Sequence, residues 1–265
     1  MNTILTTAAT VGGMGIACGT ALAMAARFLA VTEDPRIEQA TDILPGANCG
    51  GCGFAGCADY AKAVVLDGAD ITLCAPGSGD TVKNLSALLG VEATTFERKV
   101  ALVLCDGTIE NAHRKSLYNG IADCTAAASV NGGDKACAYG CLGYGSCLQV
   151  CPSNAIELVD GIARVHPDLC IGCTACVRIC PRKLIKMVPE SKNIHVLCNS
   201  KAKGPITKKA CKVGCIGCRA CTKVVEDEAI TMDGFLAIVD YDKEINDTAA
   251  VEKCPANCIK ERKLT

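Results

Sequence analysis

Cys170-Ile171-Gly172-Cys173-Thr174-Ala175-Cys176-Val177-Arg178-Ile179-Cys180-Pro181 decides how this chain is read. Three cysteines at two-residue intervals, a fourth after three more residues and a proline behind it make the C-x2-C-x2-C-x3-C-P run of bacterial two-cluster ferredoxins. Thiolate sulfur is a soft anionic ligand, and a 4Fe-4S cube needs four thiolates converging on it. In such ferredoxins two runs stand in tandem, and the fourth cysteine of each ligates the other run's cluster.

Upstream, the matching half-repeat places Cys141, Tyr144, Cys147 and Cys151 at the ligand positions, so one thiolate is missing and Cys137 is the nearby candidate to replace it. Crossing the fourth ligands predicts one cluster on Cys137, Cys141, Cys147 and Cys180, and another on Cys170, Cys173, Cys176 and Cys151. Downstream, a third half-repeat keeps Cys215, Cys218 and Cys221 but has Val225 in fourth place. The fourth half-repeat has Glu244, Asp247 and Ala250, and keeps only Cys254. The losses are complementary: Cys215, Cys218, Cys221 and Cys254 make one whole set, and every missing ligand belongs to the other cluster.

A second repeat supports this division. Val103-Leu104-Cys105 matches Val196-Leu197-Cys198, and Lys135-Ala136-Cys137 with Gly140-Cys141 matches Lys209-Ala210-Cys211 with Gly214-Cys215. Cys211 is thus the counterpart of Cys137, but it stands beside an already complete triplet. Cys258 takes a position that is Ala or Leu in the other half-repeats and reads as a buried apolar residue. Cys105, Cys124 and Cys198 are left without a role, and a further centre made from leftover cysteines is not expected.

Nearer the N-terminus, Cys49, Cys52 and Cys57 lie in a glycine-rich block with Cys74 following, a C-x2-C-x4-C-x16-C spacing. Glycines there let amides approach sulfur, where hydrogen bonds tune potential. Residues 58–66 are expected to form a helix that returns the chain toward Cys74. Four sets of four predict four 4Fe-4S clusters. Disulfides are the rival reading of 22 cysteines in 265 residues, but the Cys-Pro pairs and C-x2-C runs favour metal and a reducing compartment. Four-cysteine zinc sites come as two separated pairs rather than as triplets ending in Cys-Pro.

Asn2 to Ala26 carries no ionisable side chain and is long enough as a helix to cross a bilayer. The alternative is a signal peptide, but no basic segment precedes the apolar run, and export would place the cysteines in an oxidising space. Gly12, Gly15, Gly19 and Ala23 fall near one helical face, a surface that lets another helix come close, and Arg27 puts the following domains on the cytoplasmic side. Formal net charge is −1, which gives no field for nucleic acid. Between Arg182 and Lys212 lie nine Lys or Arg and one acid, and between Glu226 and Glu252 nine acids and one base. These stretches read either as mutually paired or solvated faces, or as a basic docking surface for an acidic electron donor. Glu33 to Glu38 is a short charged linker, and no P-loop, Rossmann fingerprint or nucleophile constellation appears.

The anchor, the Asn48-Cys49-Gly50-Gly51-Cys52-Gly53 block with Cys57 and Cys74, and the ferredoxin block after it together resemble the B subunits of Rnf electron-transport complexes, the ion-translocating ferredoxin:NAD oxidoreductases. The resemblance covers nearly the whole chain. It implies an electron-transfer subunit of a translocase in the inner (cytoplasmic) membrane, with integral-membrane and peripheral partner subunits and soluble ferredoxin as donor. An anchored polyferredoxin of a hydrogenase or quinone reductase, and a zinc-stabilised membrane scaffold, are the alternatives. The expected fold is α+β: a single anchor over residues 1–30, a small helical four-cysteine domain over 31–90, a linker over 91–130 with a strand at 100–104, a two-cluster ferredoxin module over 131–190 and a degenerate one-cluster module over 195–265. Short strands at 156–159 and 162–165, joined at Asp160-Gly161, are expected to pair as a hairpin.

Overall fold

The computed structural model describes residues 2–28, 34–92, 96–245 and 248–264, with side chains from residue 6 onward. Glu33 of the charged linker and Asp247 of the fourth half-repeat lie outside the described residues. Helix α1 (Asn2–Phe28) has 27 residues, about 40 Å at the α-helical rise. Its stretch Thr6–Phe28 has a mean hydropathy of 1.5, so α1 is long and apolar enough to cross a membrane. All its described side chains are exposed, and the Thr10 and Thr20 hydroxyls donate back to carbonyls of the preceding turn, which masks their polarity.

Helices α2 (Pro35–Ile43), α3 (Cys57–Leu66) and α4 (Gly79–Leu89) form a small bundle. Asp34 caps α2 by accepting from the Arg36 N–H at 2.9 Å, with Pro35 at the first helical position. Gly90 ends α4 at φ +68°, in the left-handed region that favours glycine. Ala40, Tyr60, Val64 and Leu85 fill the core between the three helices. The expected helix over 58–66 is found as α3.

The remainder is built twice on one plan. In the first half, β1 (Lys99–Val103) is followed by short helices α5 (Cys124–Ser129) and α6 (Ser146–Gln149), the hairpin β2 (Ile156–Val159) and β3 (Ile162–Val165), then α7 (Ala175–Ile179) and β4 (Ile185–Pro189). The second half has β5 (Ile194–Val196), α8 (Gly204–Ala210), the hairpin β6 (Ile230–Asp233) and β7 (Leu236–Val239), α9 (Ala249–Glu252) and β8 (Ile259–Glu261). β1 pairs antiparallel with β4, and β5 with β8. The β2–β3 hairpin has the expected register, with Ile156 opposite Val165, and Asp160 and Gly161 both take the positive φ its tight turn requires.

The structure differs from the sequence reading over 91–130. The strand expected near 100–104 is found as β1, but the segment belongs to the first half rather than linking domains: β1 lies against β4, and Val100 and Leu102 are buried in one core with Ile162, Leu184, Val188 and Leu197. Alternation does not mark β1, because four of its five residues are buried. Asp106, just past β1, ties the halves together, with ion pairs to Arg164 on β3 and to Lys260 on β8, the latter at 2.7 Å. The basic and acidic stretches touch as well, through Lys201 and Asp233 at 2.6 Å.

Candidate metal centres

The first constellation sits on the loop entering α3. Asn48 adopts φ +45°, and its Oδ1 accepts the Cys57 N–H at 2.8 Å, folding the loop back on the helix start. A side chain at Gly56 would meet that same oxygen at 2.9 Å. Burial pushes the Cys74 thiol up to about 11 against the pull of the Gly77 N–H, and Cys57, Cys52 and Cys49 beside it add to the rise. The four expected cysteines are therefore together.

The second gathers Cys151, Cys170, Cys173 and Cys176 around one small pocket under Ala101 and Ile156. Burial pushes the Cys176 thiol up to about 12, with Cys170, Cys173 and Cys151 as its charged neighbours. The Ala155 N–H donates to the Cys151 sulfur at 3.3 Å and the Ala101 N–H to that of Cys170 at 3.5 Å. The first constellation abuts this one. A Cβ on Gly51 would lie 3.4 Å from the Cys173 carbonyl oxygen, and Arg178 donates to the Cys49 carbonyl at 3.4 Å.

The third differs from the sequence reading. Cys141, Cys147 and Cys180 line one pocket, but the fourth thiol there belongs to Cys124, while Cys137 lines another. Burial pushes the Cys147 thiol up to about 12, followed by the effects of Cys141, Cys124, Cys176 and Cys180. Cys124 opens α5, whose N-cap Asp123 accepts from the Ala126 N–H. The buried Ser146 hydroxyl takes the Cys124 N–H at 2.7 Å and donates to Asp123 at 2.6 Å, clamping α5 to the residue beside Cys147. No motif spacing links Cys124 to Cys141. The only sequence signal was the capping aspartate before it.

In the fourth, Cys221 is raised first by burial and then by Cys215, Cys218 and Cys254, so this set too is assembled across its half-repeats. Cys258 is buried, as an apolar residue would be, and its sulfur lies 3.5 Å from that of Cys254. Hydrogen bonding from Cys258 lowers the Cys254 thiol to about 5.

Burial raises Cys74, Cys141, Cys147, Cys173, Cys176 and Cys221, at least one thiol in every set, so ionising a whole set requires a compensating cation, which bound iron would supply. Among the described residues no three His, Cys, Asp or Glu side chains stand as the ligands of one metal ion must.

Two family models match the chain: an Fe-S cluster model over residues 44–76 and a 4Fe-4S dicluster domain over residues 131–181. The B subunit of the ion-translocating oxidoreductase complex of Methanosarcina acetivorans is 40% identical over 262 residues, 98% of this chain and 99% of that protein. Its counterpart in the Na(+)-translocating ferredoxin:NAD(+) oxidoreductase complex of Acetobacterium woodii is 41% identical, over 98% of this chain and 78% of its own. The corresponding polypeptide of the proton-translocating complex of Clostridium ljungdahlii is 39% identical, over 98% and 93%. With cysteine sets gathered at the matched segments and such identity along nearly its whole length, the chain belongs to the family of B subunits of the ion-translocating oxidoreductase, or Rnf, complexes.

Proposed function

We propose that this chain is the membrane-anchored electron conduit of its complex, accepting electrons singly from reduced ferredoxin at the cytoplasmic face and passing them to partner subunits of an ion-translocating ferredoxin:NAD oxidoreductase. The observation that carries this reading is the row of thiol sets, in which Cys49 of the first neighbours Cys173 of the second and Cys176 of the second neighbours Cys147 of the third. A bound 4Fe-4S cluster supplies one-electron redox chemistry at a potential tuned by hydrogen bonds to sulfur, charge and exposure. The chain's part is to hold the sulfurs, bury them and aim amides at them.

The residues assigned to this are Cys49, Cys52, Cys57 and Cys74; Cys151, Cys170, Cys173 and Cys176; Cys124, Cys141, Cys147 and Cys180; and Cys215, Cys218, Cys221 and Cys254. Helix α1 is the anchor, with Arg27 at its cytoplasmic end. The donor docks on the basic stretch from Arg182 to Lys212, which spans the end of the first half and the start of the second. There Lys208 and Lys209 stand exposed in the last turn of α8, and a cleft of about 340 Å³ is lined in part by Arg182, Lys183, Lys186 and Lys201. Acidic ferredoxin is steered to such a surface, and salt screens that attraction.

The test is stopped-flow reduction of the anaerobically purified chain by reduced ferredoxin. Lys208→Glu with Lys209→Glu should slow the bimolecular step about tenfold at low ionic strength, and by little at high salt. Identical rates at low salt would remove the docking surface, and a colourless, zinc-loaded protein would remove the conduit itself.

A further inference from the structure

We propose that Cys105, Cys137, Cys198 and Cys211 bind a fifth 4Fe-4S cluster, seated between the two halves and bridging the third and fourth centres. The inference rests on the conduit reading, and its site lies outside all four of those centres.

The four cysteines line one small pocket. Two come from each copy of the internal repeat, at matching positions: Cys105 with Cys198 and Cys137 with Cys211. The chain brings the copies together by backbone pairing. The Asp106 N–H donates to the Leu197 carbonyl at 3.1 Å, His113 to Ala210 at 3.1 Å and Lys212 to Asn111 at 2.8 Å. Amide contacts to sulfur repeat with the same pseudo-symmetry. Cys105 Sγ accepts from Gly107 N and Cys141 N, both at 3.4 Å, and Cys198 Sγ accepts from Ser200 N at 3.4 Å and Cys215 N at 3.2 Å. Paired N–H donors on a sulfur are what a ligating thiolate uses and a neutral buried thiol does not need.

Two glycines keep the pocket open. A Cβ on Gly140 would lie 3.5 Å from Cys137 Sγ and 3.7 Å from Cys105 Sγ, and one on Gly107 would lie 3.4 Å from Cys105 Sγ and 3.7 Å from Cys211 Sγ. Neither glycine has a positive φ, and a Cβ at either would just touch the sulfurs, so a longer side chain at these positions would enter the space between them.

Charge supplies an independent argument. Lys135 is 1% exposed, and its ammonium is held only by the Gly107 and Gly161 carbonyls, each at 3.0 Å. No carboxylate among the described residues pairs with it. A buried cation needs a nearby anion, and a cube held by four thiolates is one, since the thiolates outweigh the positive charge of the iron-sulfide core. Burial raises the Cys105 and Cys211 thiols, and Lys135 beside them pulls the other way.

The position has a consequence for conduction. Cys141 gives its sulfur to the third centre and its amide to Cys105, and Cys215 gives its sulfur to the fourth and its amide to Cys198. The fifth site therefore fills the interval between them. Five sets account for every cysteine but Cys18 and Cys258.

Iron and acid-labile sulfide should be counted on the full-length chain, purified anaerobically in detergent, with zinc measured alongside. The wild type should hold about twenty irons and as many sulfides. Cys211→Ser and Gly140→Val should each lose about four of both, with one fewer reducible spin by electron paramagnetic resonance, and Cys18→Ser should lose none. Gly140→Val removes no sulfur, so it decides the matter if the cysteine variant does not accumulate. About sixteen irons in the wild type, zinc in place of the missing four, or an unchanged count in Gly140→Val overturns the fifth centre and leaves the conduit standing. A chain without iron overturns both.

Discussion

The two halves of the cysteine-rich region share a strand plan but not a ligand complement, and what replaces each lost thiolate differs. In the first half, Cys151, Cys170, Cys173 and Cys176 surround a pocket on which the N-terminal bundle is docked, with Gly51 against Cys173. The corresponding positions in the second half are Val225, Glu244, Asp247 and Ala250, of which Val225 and Ala250 pack with Ile245, Val251 and Ile194 while Glu244 is exposed. A thiolate set persists where another set lies next door; where no neighbour docks, hydrocarbon fills the volume and supplies the stability. The second contrast runs the other way. Cys218 occupies its ligand position, whereas its counterpart is Tyr144, whose ring packs on Tyr118 at 5.2 Å. The first half recovers a fourth thiol from α5, a segment that the shorter second half lacks.

The largest test of this contrast is Cys254→Ala. On the proposed assignment the second half has one cube of its own in place of two and shares the fifth, so losing its own should unfold that half and remove about eight irons, while the signals of the first half's own centres persist. Native-state proteolysis with iron analysis reads both at once, and full iron retention would break the pairing of Cys254 with the Cys215 triplet. Next is the exchange of roles between Cys124 and Cys137. Cys124→Ala should convert the third centre to a three-iron form with its own paramagnetic signal, and Cys137→Ala should leave that centre whole. The reverse result would restore the ligand set expected from spacing.

The smallest effect concerns protons. His195 on β5 takes the place held by Leu102 on β1, and it is fully buried, with Nδ1 3.0 Å from the Tyr241 hydroxyl and Nε2 without a partner. Burial lowers its pKa to about 4, so the native state holds it neutral while the unfolded chain protonates near 6.5. The stability it contributes is whole above about pH 6.5 and declines as pH falls toward 4. Between pH 7.5 and 5.5 the loss is about 1.3 kcal/mol. Urea midpoints for the second half should fall accordingly, and His195→Leu should flatten the dependence. An equally steep slope in the variant would place the proton elsewhere.

What was legible in the sequence was whatever one loop delivers. Cys49 to Cys57, the Cys170 to Cys180 run and the 156–165 hairpin follow from spacing and turn chemistry, and the crossed partners follow from the repeat. Cys124 and the pairing of β1 with β4 were hidden for one reason: their partners arrive through tertiary packing, and a ligand carried in by a separate helix or strand end leaves no interval to read. The strand itself was expected, but burial of β1 on both faces removed the alternation that would have shown which face meets a partner.

The close approach of Gly51 to the main chain of Cys173 has a bearing on how such a conductor tolerates change over generations. Tunnelling falls off exponentially with separation, and on the proposed conduit reading the spacing between the first two thiol sets is gauged by peptide units rather than by side chains that substitution can lengthen or rotate. Surface residues around the joint are free to drift without detuning the gap, whereas a side chain longer than a methyl at that one glycine widens it.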